Sequence, residues 1–255
     1  PDRKDIYYNA LRNLISGLLS KIGFRPWLLA DKLMADLYVG IDTTPSKAII
    51  CTAMDSFGDY ILEHRRMLRG QVLPRSEMSK LMTDIVSESA NRHSDQQEVF
   101  VVVHKDGRVF PDELGGILDS RDNLKEVGIN ARYAIVSIRK NVPYRILELV
   151  ENSKEFEACK VGSYVNLDSR RAILAGSGHP LLSQGLARPL LLELCYIDEG
   201  TYTIDVAAKE IYDLSYMHWA TLTQKIKLPA TVKYADDFAY LIKEGVEEEI
   251  IGPPL

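Results

Sequence analysis

Cysteine is scarce, with three residues in 255, at Cys51, Cys159 and Cys195, far apart and with no CxxC spacing. That argues against a disulfide framework and against a thiolate zinc site, and it fits a reduced, cytoplasmic setting. No stretch approaches the roughly 18 uncharged apolar residues of a membrane helix, so no membrane partner is expected. Residues 1–5 (PDRKD) have no signal-peptide profile and do not begin with Met, so the chain reads as a processed or excised fragment. Internal repeats and low-complexity tracts are missing too. Nor is there an excess of positive charge. The formal net charge is −5, which speaks weakly against nucleic acid as a partner. Net charge averages over patches, however, and four of the acids sit together in 244–249, so local clustering decides.

What is present is an ordinary globular composition, 46% hydrophobic and 26% charged, long enough for one large domain. Residues 5–22 carry Ile6, Ala10, Leu14, Leu18 and Leu19 at a helical period, stopped by Gly23 and Pro26. The run 37–42 (LYVGID) reads as a strand buried on both faces. Strands over 47–54 and 59–67, joined by a turn at 56–59, complete a three-strand meander. A helix follows with Ser76 as its N-cap and Met78, Leu81, Met82, Ile85 and Val86 as its apolar stripe. Then come a strand over 100–103, a helix over 111–127 and a strand over 131–138. Short strands are expected within 161–167 and 172–174, a strand at 190–197, and helices over 209–223 and 235–243. The order implies a mixed α/β sheet with helices on both faces.

Asp42 ends the first strand, and Asp106, followed by Gly107, comes just after the apolar run of 100–103. Open sheets bind ligands outside the carboxyl ends of their strands. Each aspartate alone is equally a turn or capping residue. Two strands delivering acids to one edge say more, because like charges held together cost several kcal/mol unless a cation neutralises them. Mg²⁺ or Mn²⁺ takes such oxygen ligands. Two ions about 3.5–4 Å apart can activate water and stabilise the leaving oxygen in phosphodiester cleavage. Asp236 is a third candidate, expected at the start of a helix, where an acid also suits the helix dipole. Asp237 should point about a quarter-turn away.

Four segments in this order and spacing, LYVGIDTT, VFVVVHKDGRV, QGLARP (184–189) and LPATVKYADDFAYL (228–241), resemble the PIWI domain of Argonaute proteins. Prokaryotic, archaeal members give the nearest pattern. The resemblance covers most of 30–255 and implies a ribonuclease H-like mixed sheet with helices on both faces. Residues 1–29 resemble the C-terminal remnant of a MID-like domain. The implied activity is a guide-directed endonuclease that cleaves a target strand by two-metal-ion hydrolysis. The alternative is a non-cleaving guide- and target-binding module that acts with partner proteins.

Carried over by residue, the resemblance makes Asp42, Asp106 and Asp236 the metal ligands, with Glu77 completing the catalytic set. Glu63 and Glu88 remain rivals for that fourth place. It makes Arg139, Lys140 and Arg145, in the loop RKNVPYR, contacts to the guide backbone, together with Arg188 of QGLARP. Phosphate contacts position nucleic acid without reading its sequence. Arg170 and Arg171 form a further pair without motif support. Lys21 and the terminal carboxylate of Leu255 match the pocket for the guide's 5′ phosphate. The expected partners are guide and target nucleic acid, and a second subunit carrying N, PAZ and MID domains.

Overall fold

The apolar run around Val39 forms β1 (Leu37–Thr43), the strand against which the rest is laid. In this computed structural model, residues 3–43, 48–67, 74–92, 97–150, 155–176, 186, 188–198, 200–219 and 226–244 are described. Tyr38, Val39 and Ile41 have no exposed surface, because β1 is covered on both faces and flanked on both sides. It pairs antiparallel with β2 (Ala48–Asp55), which pairs antiparallel with β3 (Tyr60–Met67). Gly58, at φ +73, makes the turn between those two strands, a conformation that glycine adopts at little cost. On its other side β1 runs parallel to β4 (Glu98–Asp106), and β4 runs parallel to β5 (Asn130–Arg139). The sheet continues through β10 (Leu190–Ile197), β9 (Arg171–Leu174) and β8 (Tyr164–Asn166), all antiparallel. β6 (Leu147–Leu149) and β7 (Phe156–Ala158) form a separate small ribbon.

Alternation along the strands sends successive side chains to opposite faces and so builds two cores. Val39, Ile41, Val101 and Val103 meet α2 (Arg75–Arg92) and α3 (Pro111–Glu126) on one face. Tyr38, Val102, Ala134 and Val136 meet α4 (Ile204–Leu214) and the first turns of α5 (Ala230–Lys243) on the other. The expected mixed sheet with helices on both faces is therefore present. Among the described residues no helix is long and apolar enough to cross a membrane. α1 (Arg3–Lys21) is held through Ser16, whose hydroxyl donates to the Trp219 carbonyl at 2.7 Å. Its apolar side chains, Leu14 and Leu18 among them, face outward.

Three helix boundaries differ from expectation. Ser76 is inside α2 rather than capping it. The Pro74 carbonyl takes the Glu77 and Met78 amides, at 3.0 and 3.1 Å, so the helix starts at Arg75. The helix expected over 209–223 is instead α4, which starts behind Thr203, whose hydroxyl accepts from the Val206 amide, and ends at Leu214. Beyond it the chain turns inward. Tyr234 Oη accepts from the Trp219 amide and donates to the Met217 carbonyl, so 217–219 bond to α5 instead of extending α4. His218 is thus not on the helix, and Leu222 lies outside the described residues. Finally, α5 starts at Ala230, behind Pro229, and not at 235. Asp236 consequently sits in its second turn, away from the positive end of the dipole.

Candidate metal centre and its cation rim

Register does the first part of the assembly. Gly40 pairs with His104 and Ile41 with Lys105, so the next residues along the parallel strands, Asp42 and Asp106, emerge side by side. By alternation both point to the face that α5 covers. α5 comes unusually close because residue 40 is glycine. A Cβ there would lie 2.3 Å from the Thr231 carbonyl carbon and oxygen. Thr231 is fixed in turn by Thr52, which donates to its carbonyl at 2.5 Å, and by His104 Nδ1, 3.0 Å from its hydroxyl. With the start of α5 pinned to β1 and β4, Asp236 hangs over the two strand ends. One carboxylate oxygen each from Asp42, Asp106 and Asp236 lies within 4.8 Å of the others.

This clustering shows in the electrostatics. Burial first, then Asp106 and Asp236, push the Asp42 carboxyl up to about 6, against the pull of Lys140. An all-oxygen donor set of three converging carboxylates suits a hard divalent ion such as Mg²⁺ or Mn²⁺. Asp237 turns away as expected. It pairs with Lys233 and with His218 Nε2 at 3.1 Å, and it stays below the usual carboxylate range because these bonds outweigh its burial.

The remaining sequence candidates are dispersed. Glu77 lies in the first turn of α2, 3.7 Å from Lys80. Glu63 contacts Tyr60, and Glu88 contacts His64 and Arg92. None of these three glutamates belongs to the carboxylate cluster found among the described residues. The RKNVPYR loop is split by the pleat of β5. Arg139 turns to Glu193 on β10, while Lys140 turns to the cluster and lies 2.6 Å from Asp106 and 3.1 Å from Asp236. Arg145 and Arg188 are exposed. Arg171 is engaged with Asp168. Lys21 ends α1, and Leu255 lies outside the described residues.

Two cations escaped the sequence reasoning. Lys227 donates to the Lys140 carbonyl at 2.9 Å. Burial, then Arg188, Lys140 and Arg145, lower its pKa, so these four cations share one field, of which Lys140 touches the carboxylates. Lys105, a buried residue of β4 itself, donates to the Asp106 carbonyl at 2.8 Å and reaches Thr43 Oγ1 at 3.4 Å, bracing both strand ends. Neither carries a motif. A glycine within the β1 pattern was, by contrast, a usable signal for close backbone approach.

A parallel β1–β4–β5 centre with antiparallel strands on both sides, covered by helices on both faces, defines a ribonuclease H-like α/β domain. The Piwi domain profile matches residues 3–247, and the chain belongs to that family. It is 25% identical over 250 residues to the Argonaute protein of Aquifex aeolicus, covering 93% of this chain and 32% of that protein. It is 23% identical over 263 residues to the Argonaute of Methanocaldococcus jannaschii, covering 98% and 34%. The crystal structure of A. aeolicus Argonaute superposes with a TM-score of 0.68 at 22% identity, over 95% of this chain and 34% of that one. The same fold is found, with a TM-score of 0.65 at 23% identity over 92% and 32%, in the crystal structure of Aa-Ago with externally bound siRNA. The chain thus spans about a third of the length of these relatives.

Proposed function

We propose that this chain is the Piwi part of a guide-directed endonuclease that cleaves the phosphodiester backbone of a target strand. The carrying observation is the convergence of Asp42, Asp106 and Asp236, from two strand ends and one helix, within 4.8 Å. Bound there, a pair of Mg²⁺ or Mn²⁺ ions would supply an activated water and charge neutralisation at the leaving oxygen. The chain's own residues do the rest. The three aspartates hold and orient, and Glu77, which follows 68–73, is the fourth carboxylate, with Glu63 and Glu88 as alternatives. Lys140, Arg145, Arg188 and Lys227 form the rim against which nucleic-acid phosphates are held, with Arg139 behind them. Lys21 and Leu255 are assigned to the guide's 5′ end. Residues 1–29 are taken as the end of a MID-like domain and 30–255 as the Piwi domain. The outward apolar side chains of α1 support a neighbouring N, PAZ and MID assembly, in this chain or a second subunit.

The siRNA bound externally to Aa-Ago supports nucleic acid as the ligand class. The test is cleavage of a guide–target duplex in Mn²⁺, with the other domains supplied. Asp42→Ala and Asp106→Ala should each abolish turnover while leaving duplex binding intact. Unchanged cleavage in either variant would reject the assignment. A second reading, a guide-binding module that does not cleave, draws on the absence of Glu77 from the cluster. Normal duplex binding without turnover in Mn²⁺ would select it.

A further inference from the structure

The ammonium of Lys140 sits against two of the three carboxylates, 2.6 Å from Asp106 Oδ2 and 3.1 Å from Asp236 Oδ1. It arrives there by register. Ile138 pairs with Asp106, and Lys140, two residues on, points to the same face and just beyond the strand ends. Resting on the carboxylate reading above, we propose that Lys140 is the resident counter-ion of this site, an internal cation that a divalent ion must displace.

The two carboxylates it engages belong to the converging set of three, so an ammonium and a divalent ion compete for the same negative charge. Mutual repulsion at contact distance disfavours both remaining. The device is also built to move. The Lys140 carbonyl is tied to Lys227 Nζ at 2.9 Å, which fixes the backbone, while its four-carbon stem is free to rotate and a third of the side chain is exposed. Lys140 shares a field with Arg145, Arg188 and Lys227. A displaced Lys140 therefore joins the phosphate-facing rim, so loading the metal site strengthens the grip on a nucleic-acid backbone. By reciprocity, a bound backbone strengthens metal binding.

The test is calorimetric titration of the full chain with Mn²⁺ at fixed pH and ionic strength. Lys140→Met removes the charge and keeps the stem. It should bind Mn²⁺ more tightly, on the order of tenfold, a typical size for coupled sites. Lys140→Gln should shift the same way, which covers the case of a Met variant that does not fold. Lys227→Met, which removes a nearby cation that makes no ion pair with these three aspartates, should change the affinity far less. Unchanged or weaker Mn²⁺ binding in both Lys140 variants would overturn the proposal, and so would an equal gain in Lys227→Met. Asp106→Asn separates this from the underlying reading. If it abolishes Mn²⁺ binding while the Lys140 variants bind like wild type, only the counter-ion role fails. If it leaves binding unchanged, the carboxylate site fails as well.

Discussion

Removing one of the three converging charges should make the metal-free protein more stable. The Asp42 carboxyl is raised from 3.8 to about 6, by burial first and then by Asp106 and Asp236. In the unfolded chain the same group ionises near 4, so over the interval between, the native state binds more protons. Stability then falls as pH rises through that interval, and the loss is complete above about 6. The displacement corresponds to on the order of 3 kcal/mol. Residual solvent access reduces the expected effect to about 1–2 kcal/mol. Asp42→Asn keeps an oxygen to accept from the Thr43 amide, which Asp42 now takes at 2.8 Å, and discards the charge. In EDTA near neutral pH the variant should melt higher, by about 2–4 °C per kcal/mol for a domain of this size. Its stability should also vary less between about pH 4 and 6 than that of wild type. Adding Mn²⁺ should reverse the order, since an ion at a hundred times its Kd stabilises the native state by about 2.7 kcal/mol. A variant less stable than wild type in EDTA, or one with an unchanged pH profile, would refute the reasoning.

Gly40→Ala should cost about 3 kcal/mol or more, because the new Cβ meets rigid backbone of α5. It should also weaken Mn²⁺ binding by moving Asp236, and chemical unfolding plus metal titration check both effects. Arg188→Ala and Lys227→Ala should each weaken duplex binding to a similar extent for unrelated sequences. Each should lower the slope of log affinity against log salt by about one, measurable by fluorescence anisotropy. Thr203→Ala should destabilise by about 1 kcal/mol through loss of the α4 cap, read by urea unfolding, with no effect on metal affinity.

Asp42 and Asp106 were legible because an apolar run ending in a carboxylate is a local signal, and parallel pairing of their strands converts it into proximity. The meander and the α/β alternation were legible for the same reason, being set by side-chain period. Asp236 was a weaker candidate that the family resemblance raised to a ligand, and its expected placement at a helix start was mistaken. The residues before it, led by Pro229, extend α5 backward to meet Gly40, a contact between distant segments that no local pattern encodes. The end of α4 was misread for the same kind of reason. Met217 and Trp219 trade helical bonds for Tyr234, seventeen and fifteen residues away. The basic loop was read as one unit, yet strand alternation sends Arg139 to Glu193 and Lys140 to the carboxylates. Lys227 could not be singled out from sequence, since only tertiary packing brings it to the Lys140 carbonyl.

The most direct measurement is anomalous diffraction from a crystal of the chain soaked in Mn²⁺. The expected result is a peak bounded by carboxylate oxygens of Asp42, Asp106 and Asp236, at about 2.1 Å, the spacing of a small divalent ion in oxygen coordination. No peak between those three side chains at saturating Mn²⁺, in crystals that bind the ion elsewhere, would contradict the metal-centre assignment.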